Sequence, residues 1–172
     1  MIIRYAALVA MALAGCARPP APLPPPPSGV RSIAVERPVN RTGDDLVVDG
    51  PGLLQRVLRK DTATVPDVLA EELEKLLMRQ GFRTPAPGTD GVPVLRTEIG
   101  RWEHYSANYE TVTVDVVASL VEPGSGRELW KAARSGWVVS TDHAASRRDA
   151  SLAASAAIAE ALLEGWAPSA GR

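Results

Sequence analysis

Two histidines, His104 and His143, are the side chains of this 172-residue sequence best suited to proton transfer near neutral pH. They fall on different predicted elements, His104 at a strand end or connecting loop and His143 in a polar stretch before the last helix. Asp142 precedes His143, but sequence neighbours rarely orient one another as in a catalytic triad, and no G-x-S-x-G motif is present. We therefore expect no catalytic residue and no enzymatic activity.

Metal and phosphate chemistry are equally weak predictions. The sequence contains neither H-x-x-x-H nor H-E-x-x-H, and Cys16 is its single cysteine. Glu71-Glu72 is expected on a helix with outward partners, and Asp44-Asp45 in a solvated loop. Gly124-Ser125-Gly126 is expected to join two strands, whereas a phosphate cradle joins a strand to a helix. The sequence predicts no metal and no cofactor.

The lone thiol of Cys16 follows a segment, residues 1–15, with the layout of a bacterial export signal. Arg4 precedes the nine-residue apolar run from Tyr5 to Leu13, which is too short for a bilayer because spanning takes about 20 apolar residues. An exported protein in an oxidising compartment has little use for one unpaired thiol. A chemical modification of Cys16 would explain its presence.

The sequence Leu13-Ala14-Gly15-Cys16 resembles the lipobox of bacterial lipoproteins. The resemblance implies cleavage before Cys16, diacylation of its sulfur with fatty acids such as palmitate, and acylation of the new amino terminus. Two or three acyl chains give a stable membrane anchor. Ala17 stands where some lineages use Asp for inner-membrane retention, which favours the inner leaflet of the outer membrane, facing the periplasm. The alternative is an ordinary secretory signal followed by an incidental cysteine.

Residues 16–29 form the predicted lipidated cysteine and tether. Seven prolines lie between Pro19 and Pro27, and such a run favours extended polyproline II over helix or sheet. At about 3.1 Å per residue, residues 17–28 would span roughly 35 Å. We interpret the run as a spacer, with a ligand for SH3-like or WW-like modules as the alternative.

Composition places the remainder in one domain, residues 30–167, followed by a tail at 168–172. Without Arg4 the 19 basic residues become 18, against 20 acidic ones, a net charge of −2. A nucleic-acid partner would need a clustered basic excess, so none is expected. Trp130 and Trp137 lie in apparent strands and are predicted core residues.

Periodicity gives the order of elements. Apolar alternation predicts a first, central strand at Ser32–Val35, brief strands at Leu46–Val48 and 82–85, and three longer strands over 92–102, 109–121 and 127–140. Spacings of three and four predict a short helix over 51–59 and main helices over 65–80 and 149–166. The predicted fold class is α+β, a two-layer sandwich with a mixed or largely antiparallel sheet of about four to five strands and two main helices on one face.

The ends of the first main helix carry specific signals. Thr64 with Asp67 three residues later is a capping-box-like pair, and Glu71 is spaced to pair with Lys75. Gly81 stands where a left-handed residue ends a helix, and Phe82 is the apolar residue that folds back.

Three stretches are similar to a group of envelope lipoproteins. They are the opening strand with its N-x-T loop (33–43), the helix ending in a Gly-Phe step (68–82), and the hairpin VDVVASLVEPGSGRELW (114–130). The group comprises the penicillin-binding-protein activator LpoB, the curli secretion lipoprotein CsgG, small Neisseria-type lipoproteins of unknown function and, by structural kinship, the N-terminal domain of TolB. The resemblance implies a two-layer α/β domain that works by binding, without cofactor, and it transfers no catalytic residue.

The leading functional prediction is therefore a lipid-anchored, non-enzymatic binding or assembly module whose partner is an envelope protein, with the oligomeric state left open. The candidate partner-binding face is the loop at 40–49 with the short basic helix that follows it, and its candidate residues are Leu53, Leu54, Arg56, Val57 and Arg59. An alternative is that the apolar ones simply cover the sheet edge. Two other functions stay open, an accessory role in lipid or lipopolysaccharide transport and a cell-envelope hydrolase centred on His143.

Overall fold

The computed structural model describes residues 23–24, 27–44, 46, 48, 63–106, 110–140 and 146–168. Its elements in chain order are β1 (Ala34–Val35), β2 (Val39–Asn40), α1 (Val65–Arg79), β3 (Val94–Ser106), β4 (Glu110–Val121), β5 (Glu128–Ser140) and α2 (Arg147–Leu162). The predicted helix over 51–59 lies outside the described residues, as does Val47 of the predicted strand at 46–48. Leu46 and Val48 are described, and neither belongs to a strand.

The sheet is mixed and open. β3, β4 and β5 form an antiparallel meander, and the two short strands β1 and β2 both pair in parallel with the free edge of β3. The prediction of a central first strand is wrong, because β1 has two residues and lies at the edge of the strand order. The predicted strand at 82–85 is reduced to an isolated bridge between Ser32 and Arg83.

One face of the sheet is buried beneath both helices. The inward residues of β4 are Val112, Val114, Val116, Ala118 and Leu120, all at most 1% exposed. They alternate with the open-face residues Thr111, Thr113, Asp115 and Ser119, as the sequence predicts. The helices supply the other side of the core through Leu69, Leu73 and Leu77 from α1 and Ile158 and Leu162 from α2. The predicted α+β two-layer fold class is confirmed.

Both ends of α1 follow the sequence signals. Asp67 accepts hydrogen bonds from the Thr64 hydroxyl and from its backbone N–H, the latter at 3.2 Å. The Lys75 Nζ lies 2.8 Å from Glu71 Oε1. After the helix, Gly81 adopts φ +94°, which lets the Phe82 N–H donate to the Leu77 carbonyl and places the Phe82 ring in the core.

α2 begins and ends earlier than predicted. Ser146 caps it, with its hydroxyl accepting from the Asp149 N–H and the Asp149 carboxylate accepting from the Ser146 N–H. The helix ends at Leu162, and Gly165 at φ +74° turns the chain back on itself. Trp166 therefore reaches the core from a turn and not from the last helical residue.

Candidate functional site

Most residues singled out from the sequence lie outside the described part of the chain. These are Cys16, His143 and the five candidate partner-binding residues, Leu53, Leu54, Arg56, Val57 and Arg59. Their predicted roles stay predictions. Three features of the described residues bear on function: a histidine cluster at one end of the sheet, a docked proline segment at the other end, and the open face between them.

His104 lies within β3, not at its end, because the strand continues to Ser106. It shares the buried face with Trp102, two residues before it, and pairs with Val112 of β4. The Trp102 Nε1–H donates to His104 Nε2 at 3.3 Å, and the Ser151 Oγ of α2 lies 3.1 Å from the same nitrogen. The cluster therefore joins the sheet to the first turns of α2.

The partners of His104 select its neutral form. The indole nitrogen of Trp102 can only donate, so His104 Nε2 must accept and the ring proton belongs on Nδ1. Nδ1 is buried and has no hydrogen-bond partner among the described residues. Burial lowers the pKa of His104, the nearby charge of Arg147 lowers it further, and Glu110 opposes both.

This geometry does not form a nucleophilic pair. Ser151 lies on α2 with 0% of its surface exposed, so a substrate carbonyl cannot approach its hydroxyl. The cluster is a hydrogen-bonded contact between layers. The spacing of two residues between Trp102 and His104 would place both on one face of a strand. The sequence-based prediction ends this strand at residue 102, which leaves His104 outside it.

The opposite end of the molecule holds three aromatic rings and part of the tether. Trp130 and Trp166 pack edge to face with centroids 4.8 Å apart, and Phe82 lies 6.1 Å from Trp166. The Trp130 Nε1–H donates to the carbonyl of Pro24 at 2.9 Å, and Leu23 packs partly buried against the core. The prediction that Trp130 is a core residue is confirmed, while Trp137 is only partly buried.

The proline run predicts a spacer separate from the domain, whereas Leu23 and Pro24 contact the domain. The available signal was Leu23 itself, the one large apolar side chain in an otherwise proline and alanine stretch. Burying such a side chain is favourable by about 25 cal/mol per Å² of apolar surface. A leucine inside a proline run is therefore a candidate docking residue.

The open face of the sheet is covered by paired charges. Arg96 binds Glu36 at 2.9 Å, Arg41 binds Glu98 at 3.3 Å, and Arg101 pairs with Glu103. Val39, Val117 and Val138 are exposed apolar residues among the described ones. Each of these three arginines is therefore paired with a carboxylate.

The N-x-T loop of the sequence resemblance has a local structural role. The Asn40 Oδ1 accepts from the Thr42 N–H at 2.9 Å and from its hydroxyl at 2.8 Å, while Asn40 Nδ2 donates to the Asp44 carbonyl. This is an Asx turn, which occupies the polar atoms of both side chains within the loop.

The described residues contain no group of three or more His, Cys, Asp or Glu side chains placed to hold a metal ion. Among the same residues, no helix has the length and apolarity needed to cross a bilayer. The paired carboxylates Glu71 and Glu72 both bind Lys75 Nζ, at 2.8 and 3.0 Å.

No protein-family model matches the sequence, and no curated protein matches it. Solved structures do match in fold. The PelC dodecamer from Paraburkholderia phytofirmans aligns with a TM-score of 0.50 at 14% identity, covering 82% of this chain and 93% of PelC.

Two further structures align less closely. Lipoprotein GNA1162 from Neisseria meningitidis gives a TM-score of 0.36 at 18% identity, over 60% of this chain and 79% of its own. Protein XCC0632 from Xanthomonas campestris gives 0.46 at 12% identity, over 84% and 92%. At these identities, the likeness to PelC shows a shared fold and carries no activity with it.

Proposed function

We propose that this chain is an envelope lipoprotein, anchored through acyl chains on Cys16, whose domain is a non-enzymatic binding or assembly module for an envelope protein. The observation that carries the proposal is the closeness of the lipobox-like cysteine to the folded domain. Six residues, 17–22, separate Cys16 from the segment that Trp130 binds. An anchor at Cys16 would thereby hold the whole domain at a membrane.

Anchoring is tested by following acylation of Cys16 in cells. An alkyne-tagged fatty acid is expected to label the wild-type protein, and mass spectrometry is expected to find an acylated Cys16 as the first residue. Cys16→Ser should abolish labelling, because it removes the thiol that carries the acyl chain. Ala17→Ser is the matched control and should be labelled like the wild type, because position 17 carries no acyl chain. Absence of label on the wild-type protein would contradict the proposal.

The protein-partner part of the proposal rests on the short basic segment and the mixed-charge open face. Leu46 and Val48 are core residues, and the Val65 N–H donates to the Leu46 carbonyl at 2.7 Å. Deleting residues 43–61 would remove Leu46 and Val48 from the core, so the deletion would disturb folding as well as binding. Side-chain substitution in residues 53–59 is the cleaner test.

In-cell crosslinking should recover one envelope protein with the wild-type chain. Arg56→Glu with Arg59→Glu is expected to reduce that recovery severalfold if the segment meets the partner, since charge reversal changes complementarity at an interface. The control is Arg96→Glu on the open face, which separates the two surfaces. If the double variant Arg56→Glu, Arg59→Glu recovers the partner like the wild type and Arg96→Glu does not, the interface lies on the open face.

Lipid or lipopolysaccharide transport remains the second candidate, and it needs an apolar cavity between helices and sheet. Fully buried side chains from both layers occupy that interface, including Leu69, Leu73, Ile99, Leu120 and Ile158. Native mass spectrometry of the domain would detect a retained lipid beyond the covalent acyl chains. A hydrolase acting through His143 is tested by His143→Ala, with envelope hydrolysis as the readout.

A further inference from the structure

The docked tether has a direct geometric consequence for how the domain lies on the membrane. We infer that the domain is held with one defined end toward the lipid surface, which we call the tether pole. It comprises the β4–β5 turn (122–127), Trp130, and the carboxyl ends of both helices at Phe82 and Trp166. This inference rests on the proposed anchoring at Cys16.

The number of residues between Cys16 and the docked segment limits how far the domain can stand from the membrane. If all of residues 17–28 were free, the domain could stand roughly 35 Å from the membrane, at about 3.1 Å per residue of polyproline II. Because Pro24 is bound by Trp130 and Leu23 packs on the core, only residues 17–22 remain between anchor and domain. Their reach is about 20 Å.

The segment that contains Leu23 and Pro24 docks at one end of the sheet. The described parts of residues 23–30 run from Trp130 of β5, where Pro24 binds, to Val30, which packs against the core beside the start of β1. β5 begins at Glu128, β4 ends at Val121 and β3 begins at Val94, so the segment crosses the sheet at the end shared by these three termini. Attachment is therefore at an extremity of the domain and not at its middle.

The opposite end of the sheet lies far from the docking point. Strands rise about 3.4 Å per residue, so Val138 lies roughly 30 Å along β5 from Trp130. The opposite end carries Tyr105, 67% exposed, and Val138, 58% exposed, together with the His104 cluster. Residues 17–22 reach at most about 20 Å, which is shorter than this separation, so the two ends cannot exchange places at the lipid surface.

The charges at the tether pole do not by themselves explain attraction to lipid. Arg127 binds Glu122 at 3.2 Å and Lys131 binds Glu128 at 3.4 Å, which balances the charge near the β4–β5 turn. Orientation thus depends on the docked segment and the anchor. The opposite end and the open face are left for the partner.

The test uses energy transfer from the domain to acceptor-labelled lipids in vesicles carrying the acylated protein. Acylation consumes the only native thiol, so an introduced cysteine is labelled alone. Ser125→Cys labels the turn of the tether pole and Val138→Cys labels the opposite end, both at exposed positions. The Ser125 label should transfer at least about twofold more energy, because the strand rise separates the labels by roughly 30 Å.

Two variants ask whether docking causes the orientation. Trp130→Phe keeps an aromatic ring and removes the N–H that binds Pro24, and a twelve-residue Gly/Ser insertion after Ala17 lengthens the free tether. Both should shrink the difference between the labels. Equal transfer from the two labels in the unaltered, acylated protein would overturn the inference and leave anchoring intact. Absence of acylation and of any transfer would instead contradict the proposed function.

Discussion

At the residue scale, the neighbours of His104 determine its protonation state. Trp102 donates to the nitrogen that would carry the second proton of imidazolium, and the other nitrogen is buried. Protonation of His104 Nε2 would place its N–H opposite the Trp102 Nε1–H, and two donors cannot form a hydrogen bond. The same contacts that join β3 to α2 therefore favour the neutral ring.

We predict that His104 makes stability depend on mildly acidic pH. Its folded-state pKa lies below the unfolded value near 6.5, so its stabilising contacts are fully present above about pH 6.5 and are lost as pH falls toward the folded pKa. The midpoint temperature of thermal unfolding should decrease when the pH is lowered from 7.5 to 5.5. His104→Gln should flatten that dependence.

His143→Ala is the matched control for this measurement, because it removes the only other histidine. It should preserve the wild-type pH profile. The opposite result is an unchanged pH profile in His104→Gln and a flattened one in His143→Ala. It would show that the pH dependence of stability does not come from the Trp102–His104–Ser151 cluster.

Residue types alone identified His104 as a titratable group but not its role. The alternation that places Trp102 and His104 on one face is a property of the strand. The hydrogen bond to Ser151 joins residues 47 apart in the sequence. No local pattern encodes such a contact, since it depends on how α2 crosses the sheet.

At the element scale, α1 shows which features a sequence specifies well. Its capping pair, its Glu71–Lys75 ion pair and its Gly81 termination are interactions within a few residues, and each one is present in the structure. The first and last residues of α2 are harder to predict, because its alanine-rich sequence lacks a strong apolar stripe. β1 and β2 were the least predictable, because two-residue strands exist only by pairing with β3.

We predict that Asp67→Ala destabilises the domain by about 1 kcal/mol, the usual effect of losing a helix cap. Asp67 accepts from Thr64 at the start of α1 and from Arg37, which precedes β2. The variant therefore loosens the helix start and its link to the sheet edge together. Chemical denaturation at pH 7 measures the change, and Glu74→Ala on the same helix should have little effect.

The pH dependence gives an independent check on Asp67. Hydrogen bonding from Arg37, with further bonds from Thr64, lowers the pKa of Asp67 to about 2. Its contribution is present above the unfolded value of 3.8 and is lost as pH falls toward 2. The difference between wild type and Asp67→Ala should therefore narrow below about pH 4.

At the scale of the whole molecule, the fold class followed from the order of elements, but the limits of the folded unit did not. The predicted domain begins at residue 30, while Leu23 and Pro24 already contact Trp130 and the core. Composition could not reveal this, because a proline run has the same local conformation whether it is free or docked.

Truncation measures the contribution of the docked segment. A chain beginning at residue 23 should unfold at the same denaturant concentration as one beginning at 17. A chain beginning at 30 should lose about 2 kcal/mol, because it gives up the Trp130–Pro24 hydrogen bond and the packing of Leu23. Equal stability of all three chains would mean that the contact contributes nothing to folding.

Both ends of the described chain leave the domain at the same place. Pro24 meets Trp130, Trp166 packs on that same ring, and Pro168 lies against Gly81. Chains with neighbouring ends tolerate circular permutation. Joining them and reopening the polypeptide between β3 and β4 would move the terminus that carries the proposed anchor to the far side of the sheet. The orientation inferred above for the domain at a membrane would then be reversed.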